Sequence, residues 1–384
     1  MIWIEGRPAV NTRFSFNRRQ LLSLCTLMVL VPALRLYPAL SARIGGRAAW
    51  VSALAALPPL LLYLRFLCRF MALRREGEGL AELARRSLGG RPGQTVLLLL
   101  SAWLLLYGGF VLRSGADRYV VTIFPHSSSA VFVVTLGLLA LLGALGSMRT
   151  LVRAARMVLP LMLLVLLTVL FFGLLSVDRG NLLPLTVYDT APALKGMLPV
   201  LDVLVFGLYG ACFFLSGTPR EPEAFRSLSA WLLRLTLLLT LLSAAVIGSF
   251  GAELCARLTQ PFFTLVRNLI FFRSLERAEA LVVTFWVFPD FLLSAMLLYA
   301  AQHCLRLALG MDPVYQGQRR WDLRGGRWVI LFCGATLITL GLLLAPDAAS
   351  LRFWSERLVP ILNCAVAFGL LPLVYIVGKQ KKTL

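Results

Sequence analysis

Long apolar stretches separated by short polar segments run through the whole chain. A membrane-spanning helix needs about 20 predominantly apolar residues. Ten stretches meet this requirement, at residues 20–40, 48–70, 94–112, 129–148, 157–177, 197–217, 229–252, 280–305, 328–345 and 358–378. The pattern predicts an all-α polytopic membrane protein with ten transmembrane helices. The short connections leave no room for a separate soluble domain.

The first and the sixth stretch contain residues that interrupt helices. Pro32 and Pro38 flank Arg35 in the first, and residues 207–210 (GLYG) lie in the sixth. Proline lacks an N–H and clashes with the preceding turn, whereas glycine permits an unwound turn. Interrupted segments at matching places in two halves of a membrane protein point to a transporter-type binding site near mid-membrane. We therefore predict that helices 1 and 6 are broken and that a ligand binds between them.

The order of the stretches predicts a single membrane domain (1–384) made of two five-helix repeats. The first repeat covers about 20–177 and the second about 197–378, and a polar, proline-containing outer connector at 181–199 joins them. An odd number of helices per half inverts the second half in the membrane, as an inverted-topology repeat requires. The 5+5 repeat is inferred from this order alone.

Composition and charge bear mainly on topology. The chain is 59% hydrophobic with a net charge of +20, and its mean hydropathy is +0.81. A soluble protein with this charge would be expected to bind nucleic acid. Here the basic residues lie at the ends of the apolar stretches and are more numerous on the side of the N terminus, although the seventh loop is also basic. The positive-inside rule then predicts cytoplasmic N- and C-terminal tails and no nucleic-acid partner.

Three short segments carry weaker signals. Residues 79–88 have apolar positions at helical spacing with basic residues between them, which predicts an amphipathic helix on the inner membrane surface. Residues 261–272 are apolar but too short to span, which favours a re-entrant or interfacial helix on the outer side. The basic residues of 379–382 would lie against anionic headgroups. The first apolar stretch begins late for a cleaved signal, so we expect it to be retained.

The sequence contains no motif for a metal, a cofactor or catalysis. His126 and His303 lack metal-ligand spacing, and no cysteine pair has metal or redox spacing. Serine-hydrolase, phosphate-loop and zinc-protease motifs are missing. We therefore predict no enzymatic activity, metal or cofactor. Six cysteines are read as small buried hydrophobes, namely Cys25, Cys68, Cys212, Cys304, Cys333 and Cys364.

An ordered set of short motifs resembles one known family. The motifs are residues 14–22 (FSFNRRQLL), 34–38 (LRLYP), 49–52 (AWVS), 143–149 (GALGSMR) with Arg153 and Arg156, 181–185 (NLLPL), Pro261 with 265–267 (LVR), and 275–281 (LERAEAL) before Trp286. Together they resemble the B subunits of spore nutrient-germinant receptors, the GerAB-like endospore germination permeases of the amino acid–polyamine–organocation transporter superfamily. The resemblance covers nearly the whole chain.

The resemblance carries expectations about fold, partners and location. It implies a ten-helix LeuT-like fold, a small nutrient ligand that is often an amino acid, and a complex with germinant receptor A and C subunits. It also implies the inner membrane of the endospore. Family members usually have small residues, often glycines, where the first helix opens. Here Val31, Pro32 and Ala33 occupy that stretch, and bulkier side chains leave less room for a ligand to reach the backbone.

Arg35 and Asp290 are the strongest candidates for ligand-binding residues. A charged side chain inside a membrane segment is expensive, so it is a functional candidate by default. Arg35 would hold a ligand carboxylate; the alternative is that its side chain reaches the outer headgroups. Asp290 follows Pro289 in the eighth stretch and would pair with Arg35, bind a cation or proton, or contact a ligand amine. The alternative for Asp290 is a neutral acid hydrogen-bonded to backbone freed by the proline.

Further candidate residues have structural alternatives of comparable weight. Gly207 and Gly210 would open the sixth helix beside Phe206 and Tyr209, or else serve close helix packing. Tyr107, Ser294 and Tyr299 would line the cavity or pack against neighbours. Asp202 is favoured as an acid near a helix N terminus. The helix-start acids Glu276 and Glu279, with Arg277, are assigned to structure or to a partner surface.

Three functional classes fit these observations. The first is a nutrient-sensing, transporter-like receptor subunit, and the second is a secondary transporter, or permease, for amino acids or related solutes. The third is a membrane enzyme or scaffold without a small ligand. The first two require the same cavity, so fold-level physics does not separate them. The family resemblance favours the first, with the lipid bilayer, a small nutrient and the receptor subunits as partners.

Overall fold

The computed structural model describes residues 18–75, 77–217, 224–269, 278–311 and 326–380. Parts of several sequence motifs lie outside these residues, namely 14–17, Glu276 and Arg277, and the tail residues 381–384. Arg319, Arg320 and Arg324, basic residues on the predicted cytoplasmic side, also lie outside them. Of Glu279 only the backbone position is described.

The described residues form helices joined by short connecting segments and contain no strand. The helices are α1 (Arg18–Gly45), α2 (Ser52–Ala55), α3 (Leu57–Met71), α4 (Leu80–Leu88), α5 (Gly90–Thr122), α6 (Ser129–Leu145), α7 (Met148–Leu175), α8 (Thr190–Gly196), α9 (Leu198–Cys212), α10 (Ala224–Phe250), α11 (Ala252–Arg257), α12 (Pro261–Asn268), α13 (Ala278–Phe285), α14 (Val287–Ala308), α15 (Gly326–Leu343), α16 (Ala348–Phe353), α17 (Val359–Cys364) and α18 (Leu371–Gln380). Two π-helical stretches, Trp354–Leu358 and Ala365–Leu370, flank α17.

The prediction of a polytopic membrane protein is supported by helix length and apolarity. Among the described residues, seven helical segments are long and apolar enough to cross a membrane, and two shorter apolar helices cover Ser129–Leu145 and Arg327–Leu343. The total of ten transmembrane helices stays a prediction. The long helix α5 lies against α6, α14 and α15, while α1 packs along α9. One continuous apolar core connects these two groups.

The predicted break in helix 1 is wrong. Helix α1 runs from Arg18 to Gly45 as one 28-residue helix with Pro32 and Pro38 inside it. Its central residues are fully enclosed, with Leu30, Val31 and Leu34 all 0% exposed. A proline deletes only one N–H donor, and membrane helices tolerate it where neighbouring helices surround the site. Burial on all sides therefore holds α1 together through both prolines.

The predicted break in helix 6 is also wrong. Helix α9 is continuous from Leu198 to Cys212, so residues 207–210 are helical. A Cβ atom placed on Gly207 would lie 2.1 Å from Val29 Cγ2, and one on Gly210 would lie 2.8 Å from Met28 Cε. Both glycines thus remove side-chain volume where α1 approaches α9, which is the packing use of small residues in membrane helices.

Two of the weaker segment predictions are partly corrected. Residues 79–88 do contain a helix, α4, but Leu80, Leu83 and Leu88 pack into the protein instead of facing the membrane surface. Residues 261–272 contain the short helix α12, which ends at Asn268 and buries Phe262 and Phe263 completely or nearly so. Their apolar faces are satisfied by neighbouring helices, an alternative that periodicity alone cannot distinguish from lipid contact.

The cysteine prediction holds with two exceptions. Cys25, Cys212, Cys304 and Cys333 are buried, and so is Cys255. Cys68 is half-buried and Cys364 is exposed. Cys364 lies beside the π-helical stretch Ala365–Leu370, where the longer helical repeat shifts which residues face inward.

Candidate functional site

A buried ion pair connects the end of α5 to the start of α14. The Arg118 guanidinium donates to Asp290 Oδ2, and the two side chains are 0% and 2% exposed. The Tyr119 hydroxyl donates to the same oxygen over 3.1 Å. Gly115 gives the carboxylate room on α5, since a Cβ atom there would lie 3.2 Å from Asp290 Oδ2. Asp290 is a buried carboxylate, as expected. Of the roles left open for it, pairing with Arg35 is not the one observed, because its ion-pair partner is Arg118.

Arg118 is also enclosed by aromatic rings. Its guanidinium carbon lies 5.0 Å from the ring centroid of Tyr119 and 5.0 Å from that of Phe263 on α12. A cation over the face of an aromatic ring is stabilised by the ring quadrupole. These contacts, together with Asp290, explain how an arginine is retained inside the apolar core.

Arg35 is the second fully buried cation of this region. Its Nη1 donates to the Val111 carbonyl over 3.4 Å, which ties the middle of α1 to α5. It is 0% exposed, so the alternative in which it reaches outward to the headgroups is wrong. Arg35 and Arg118 also repel each other electrostatically. A buried charge is normally paired. Arg35 forms no ion pair among the described residues, although the partly buried Asp117 on α5 interacts attractively with it.

Several polar atoms of this group have no hydrogen-bond partner among the described residues. They are Arg35 Nε and Nη2, Arg118 Nε and Nη1, and Asp290 Oδ1. Buried polar atoms without partners are rare in folded proteins and each calls for an explanation. The set combines four cationic N–H donor positions with one carboxylate acceptor, which is complementary to a small ligand with an anionic group and a donor. We refer to Arg35, Arg118 and Asp290 as the buried charge cluster.

The aromatic candidates lie together on the neighbouring part of α5 and α9. The ring centroids of Tyr107 and Phe206 are 4.2 Å apart, and those of Phe206 and Tyr209 are 5.4 Å apart. Tyr107 interacts electrostatically with Arg35, so it connects these rings to the buried charge cluster. The remaining candidates on α14 have different surroundings. The Ser294 hydroxyl is buried and has no hydrogen-bond partner among the described residues, whereas the Tyr299 ring stacks on that of Phe214, with ring centroids 6.1 Å apart.

The other candidate residues of α1 and α9 contact protein. Val31 and Ala33 are 0% exposed and Pro32 is buried within α1. Gly207 and Gly210 face α1, as described above. A role of these residues in direct ligand contact stays a prediction, and the geometry favours the buried charge cluster as the polar part of the site.

A second buried polar network crosses the middle of the protein. The Trp103 Nε1–H donates to the Tyr209 hydroxyl over 2.7 Å, and Tyr209 donates to Asn363 Oδ1 over 2.7 Å. The Asn363 amide donates to Asp202 Oδ1 and to the Asp202 carbonyl, both over 2.6 Å. The network joins α5, α9 and α17.

Near the C-terminal end of α14, away from Asp290 at its start, polar contacts anchor α4. Glu82 Oε1 lies 2.7 Å from His303 Nε2 on α14, and Glu82 Oε2 accepts the Gly79 N–H over 2.9 Å. Arg74 donates to the Leu215 carbonyl over 2.9 Å, just after α9. These contacts hold α4 across the ends of α9 and α14. His303, which the sequence left without a role, is therefore part of this anchor, and the described residues contain no His, Cys, Asp or Glu group suited to a metal ion.

Removing the Glu82 carboxylate is expected to weaken this anchor in a pH-dependent way. Burial raises the pKa of Glu82, but hydrogen bonds from His303 and the Gly79 N–H outweigh it, and the net pKa is lowered. A lowered folded-state pKa contributes stability above the ordinary glutamate pKa, and this stability is lost as the pH falls through the folded value. Thermal unfolding of Glu82→Gln at neutral pH should show a loss of about 1–3 kcal/mol.

Unfolding measurements at acidic pH check that prediction. The stability difference between wild type and Glu82→Gln should shrink as the pH falls below the ordinary glutamate range. Glu253→Gln, at an exposed carboxylate on α11, is the matched control and should have little effect. A constant difference across the acid range would contradict the proposed anchor.

Comparison with known proteins first identifies the class of fold. The structure is similar to Mhp1, a nucleobase-cation-symport-1 family transporter in a closed conformation with bromovinylhydantoin bound: the TM-score is 0.62 at 13% identity, covering 92% of this chain and 77% of that one. It is also similar to MhsT in complex with L-phenylalanine, with a TM-score of 0.56 at 12% identity, covering 98% and 99% of the two chains. At these identities the likeness establishes a LeuT-type transporter fold and leaves the ligand open.

The family follows from the sequence match. Residues 16–340 match the model of the spore germination protein family, and the chain belongs to that family. This confirms the resemblance inferred from the ordered motifs. A search of curated proteins finds no match.

The residues that sequence reasoning missed share one property. Arg118, Tyr119, Trp103 and Asn363 gain their roles from partners far away in the chain. Arg118 lies beyond the predicted apolar stretch, which ends at residue 112, whereas α5 continues to Thr122. No local pattern in the sequence shows this continuation, because Arg113 and Arg118 are not at a spacing that places them on one helix face.

Proposed function

We propose that this chain is the nutrient-sensing, transporter-like subunit of a spore germinant receptor and that it binds a small polar ligand, an amino acid, inside the membrane. The observation that carries the proposal is the buried charge cluster, with cationic donors on Arg35 and Arg118 and an acceptor on Asp290 that no described residue satisfies. An ammonium and a carboxylate on one small molecule would meet both needs. Charge-assisted hydrogen bonds of this kind are the strong ones.

The family and the fold support the proposal from two sides. Membership in the spore germination family points to germination, and MhsT, a protein of similar fold, has L-phenylalanine bound. The proposal includes a single membrane domain with a 5+5 inverted repeat, cytoplasmic termini, the inner membrane of the endospore, and A and C receptor subunits as partners. Ligand would enter from the outer side, and binding would shift the population of bundle conformations and pass the change to those partners.

A ligand panel tests the proposal on purified protein. Amino acids, sugars and nucleosides are screened for an increase in the melting temperature. A ligand at 100 times its Kd stabilises the folded state by about 2.7 kcal/mol. In Arg35→Leu the shift given by an active amino acid should fall as its affinity drops by about tenfold or more, because a charge-assisted hydrogen bond is lost.

Two controls make the panel decisive. Arg153→Leu removes an exposed arginine from α7 and should keep the wild-type response. An amino acid that stabilises wild type and Arg35→Leu equally would exclude the buried charge cluster as its site. If nothing in the panel stabilises the wild type, the chain is a scaffold without a small ligand.

The second candidate function is a secondary transporter for amino acids or related solutes, favoured by the similarity to Mhp1 and MhsT. The test is uptake of a radiolabelled hit into liposomes that contain the purified chain. Sensing predicts binding without concentrative uptake, whereas uptake that depends on an ion gradient would establish transport.

A further inference from the structure

Asp202 is a carboxylic acid without a cationic partner inside the membrane. It is the fifth residue of α9 and lies near the middle of the candidate span Val187–Cys212. No described arginine, lysine or histidine forms an ion pair with it, and the ionisable side chains that interact with it are Tyr107, Tyr209 and Cys364. All three are uncharged at neutral pH. An ionised carboxylate in such surroundings is strongly unfavourable.

The hydrogen-bond network fixes which oxygen of Asp202 is free. The indole of Trp103 can only donate, so the Tyr209 oxygen accepts from it and the Tyr209 proton goes to Asn363 Oδ1. A backbone carbonyl can only accept, so the contact of Asn363 with the Asp202 carbonyl must be made by its NH2 group. The two constraints agree on one orientation of the amide. Asp202 Oδ1 is therefore an acceptor, which leaves Oδ2 for a positive charge.

A proton fits Oδ2 better than a metal ion. Hard metal cations are held by several oxygens at once. The oxygens nearest to Asp202 in the network are already engaged, since Asn363 Oδ1 accepts from Tyr209 and the Tyr209 oxygen accepts from Trp103. A single proton on Oδ2 neutralises the acid without any additional ligand. Asp202 as a whole is half-buried, so part of the residue is accessible from outside the protein.

We propose that Asp202 is a proton-binding site in the membrane interior, carrying its proton on Oδ2 in this conformation. While α9 and α17 are together, the Asn363 amide occupies Oδ1 and leaves Oδ2 as the oxygen that carries the proton. Asn363 lies between the π-helical stretches Trp354–Leu358 and Ala365–Leu370, and such irregular turns are frequent at functional sites in helices. A movement of α17 away from α9 would remove the Asn363 amide and change the proton affinity of Asp202, which couples protonation to conformation. This site is separate from the buried charge cluster and does not depend on the proposed function.

Infrared spectroscopy of the purified full-length chain tests the proposal directly. At neutral pH the wild type should show the C=O stretch of a protonated carboxylic acid, and Asp202→Asn should lose it. Asp290→Asn removes the carboxyl of the buried charge cluster and should keep the band, because the ion pair with Arg118 favours the carboxylate form of Asp290. Since the amide of asparagine resembles a neutral acid, Asp202→Asn should melt at the wild-type temperature. Absence of the band in wild type, or its persistence in Asp202→Asn, would overturn the assignment.

Two further measurements test whether the site binds a metal cation and whether the proton lies on Asp202. A sodium titration at constant pH should leave the melting temperature of the wild type unchanged; a rise that disappears in Asp202→Asn would mean that the site binds a metal cation in place of a proton. If Asp202→Asn does not fold, Asn363→Ala retains the acid but removes the hydrogen bond to Oδ1, and the carboxylic band should shift in frequency. An unshifted band in Asn363→Ala would assign the proton to another group and contradict the proposal.

Discussion

Replacing Arg118 with methionine is expected to destabilise the folded protein by about 3–5 kcal/mol, because it leaves Asp290 as a buried charge without a partner. Asp290 is 2% exposed, and the Tyr119 hydroxyl would be the remaining donor to its Oδ2. Thermal or denaturant unfolding of the purified chain in detergent measures the loss. The matched control is Arg153→Met, an exposed arginine on α7 whose loss should be nearly neutral.

A double substitution separates the charge effect from packing. Replacing a whole buried ion pair by apolar residues of similar volume is often neutral or stabilising. Arg118→Met combined with Asp290→Leu should therefore recover most of the stability that Arg118→Met alone loses. The recovered protein should still fail to respond to an amino acid that stabilises wild type, since two of the three charged residues of the cluster are gone. A double variant as unstable as the single one would show that Arg118 acts by packing and not through its charge.

The apolar pattern alone was sufficient to predict an all-helical protein with several helices long and apolar enough to cross a membrane. Every predicted stretch coincides with described helix over most of its length. An apolar segment in lipid must satisfy its backbone hydrogen bonds internally, and a helix does so. Only part of the candidate site could be predicted from the apolar pattern. Asp290 was recognisable as a charge inside an apolar run, but its partner Arg118 lies beyond the apolar part of α5 and becomes buried only through tertiary packing.

The error about helices 1 and 6 has a physical origin. Proline and glycine both permit an interruption, and both are also compatible with a continuous helix when neighbours enclose it. Which outcome occurs depends on the residue that faces the glycine or proline from a neighbouring helix. For Gly207 that residue is Val29, which lies on α1, far earlier in the chain. A local pattern contains no information about this contact. The same limitation hid Asn363, the partner of Asp202 on α17.

The contact between Gly207 and Val29 gives the second large expected effect. Alanine at position 207 would place its Cβ 2.1 Å from Val29 Cγ2, so α1 and α9 must separate or Val29 must move. Overpacking of this kind costs about 1–3 kcal/mol. In an exposed helix the same change would be stabilising by up to about 1 kcal/mol, because alanine is the better helix former. Thermal unfolding of Gly207→Ala should therefore show a clear loss of stability.

Relief of the clash distinguishes packing from an unwound turn. Combining Gly207→Ala with Val29→Ala should give a protein more stable than the sum of the two single effects predicts, since the second change removes the atoms that the new methyl group meets. Gly369→Ala is the control, because a Cβ atom there would meet nothing within 4 Å. Additive effects of the two changes, with Gly207→Ala as mild as Gly369→Ala, would indicate that α1 and α9 are not in close contact at this point. The backbone of α9 would then be free to open toward a ligand, as the sequence pattern first suggested.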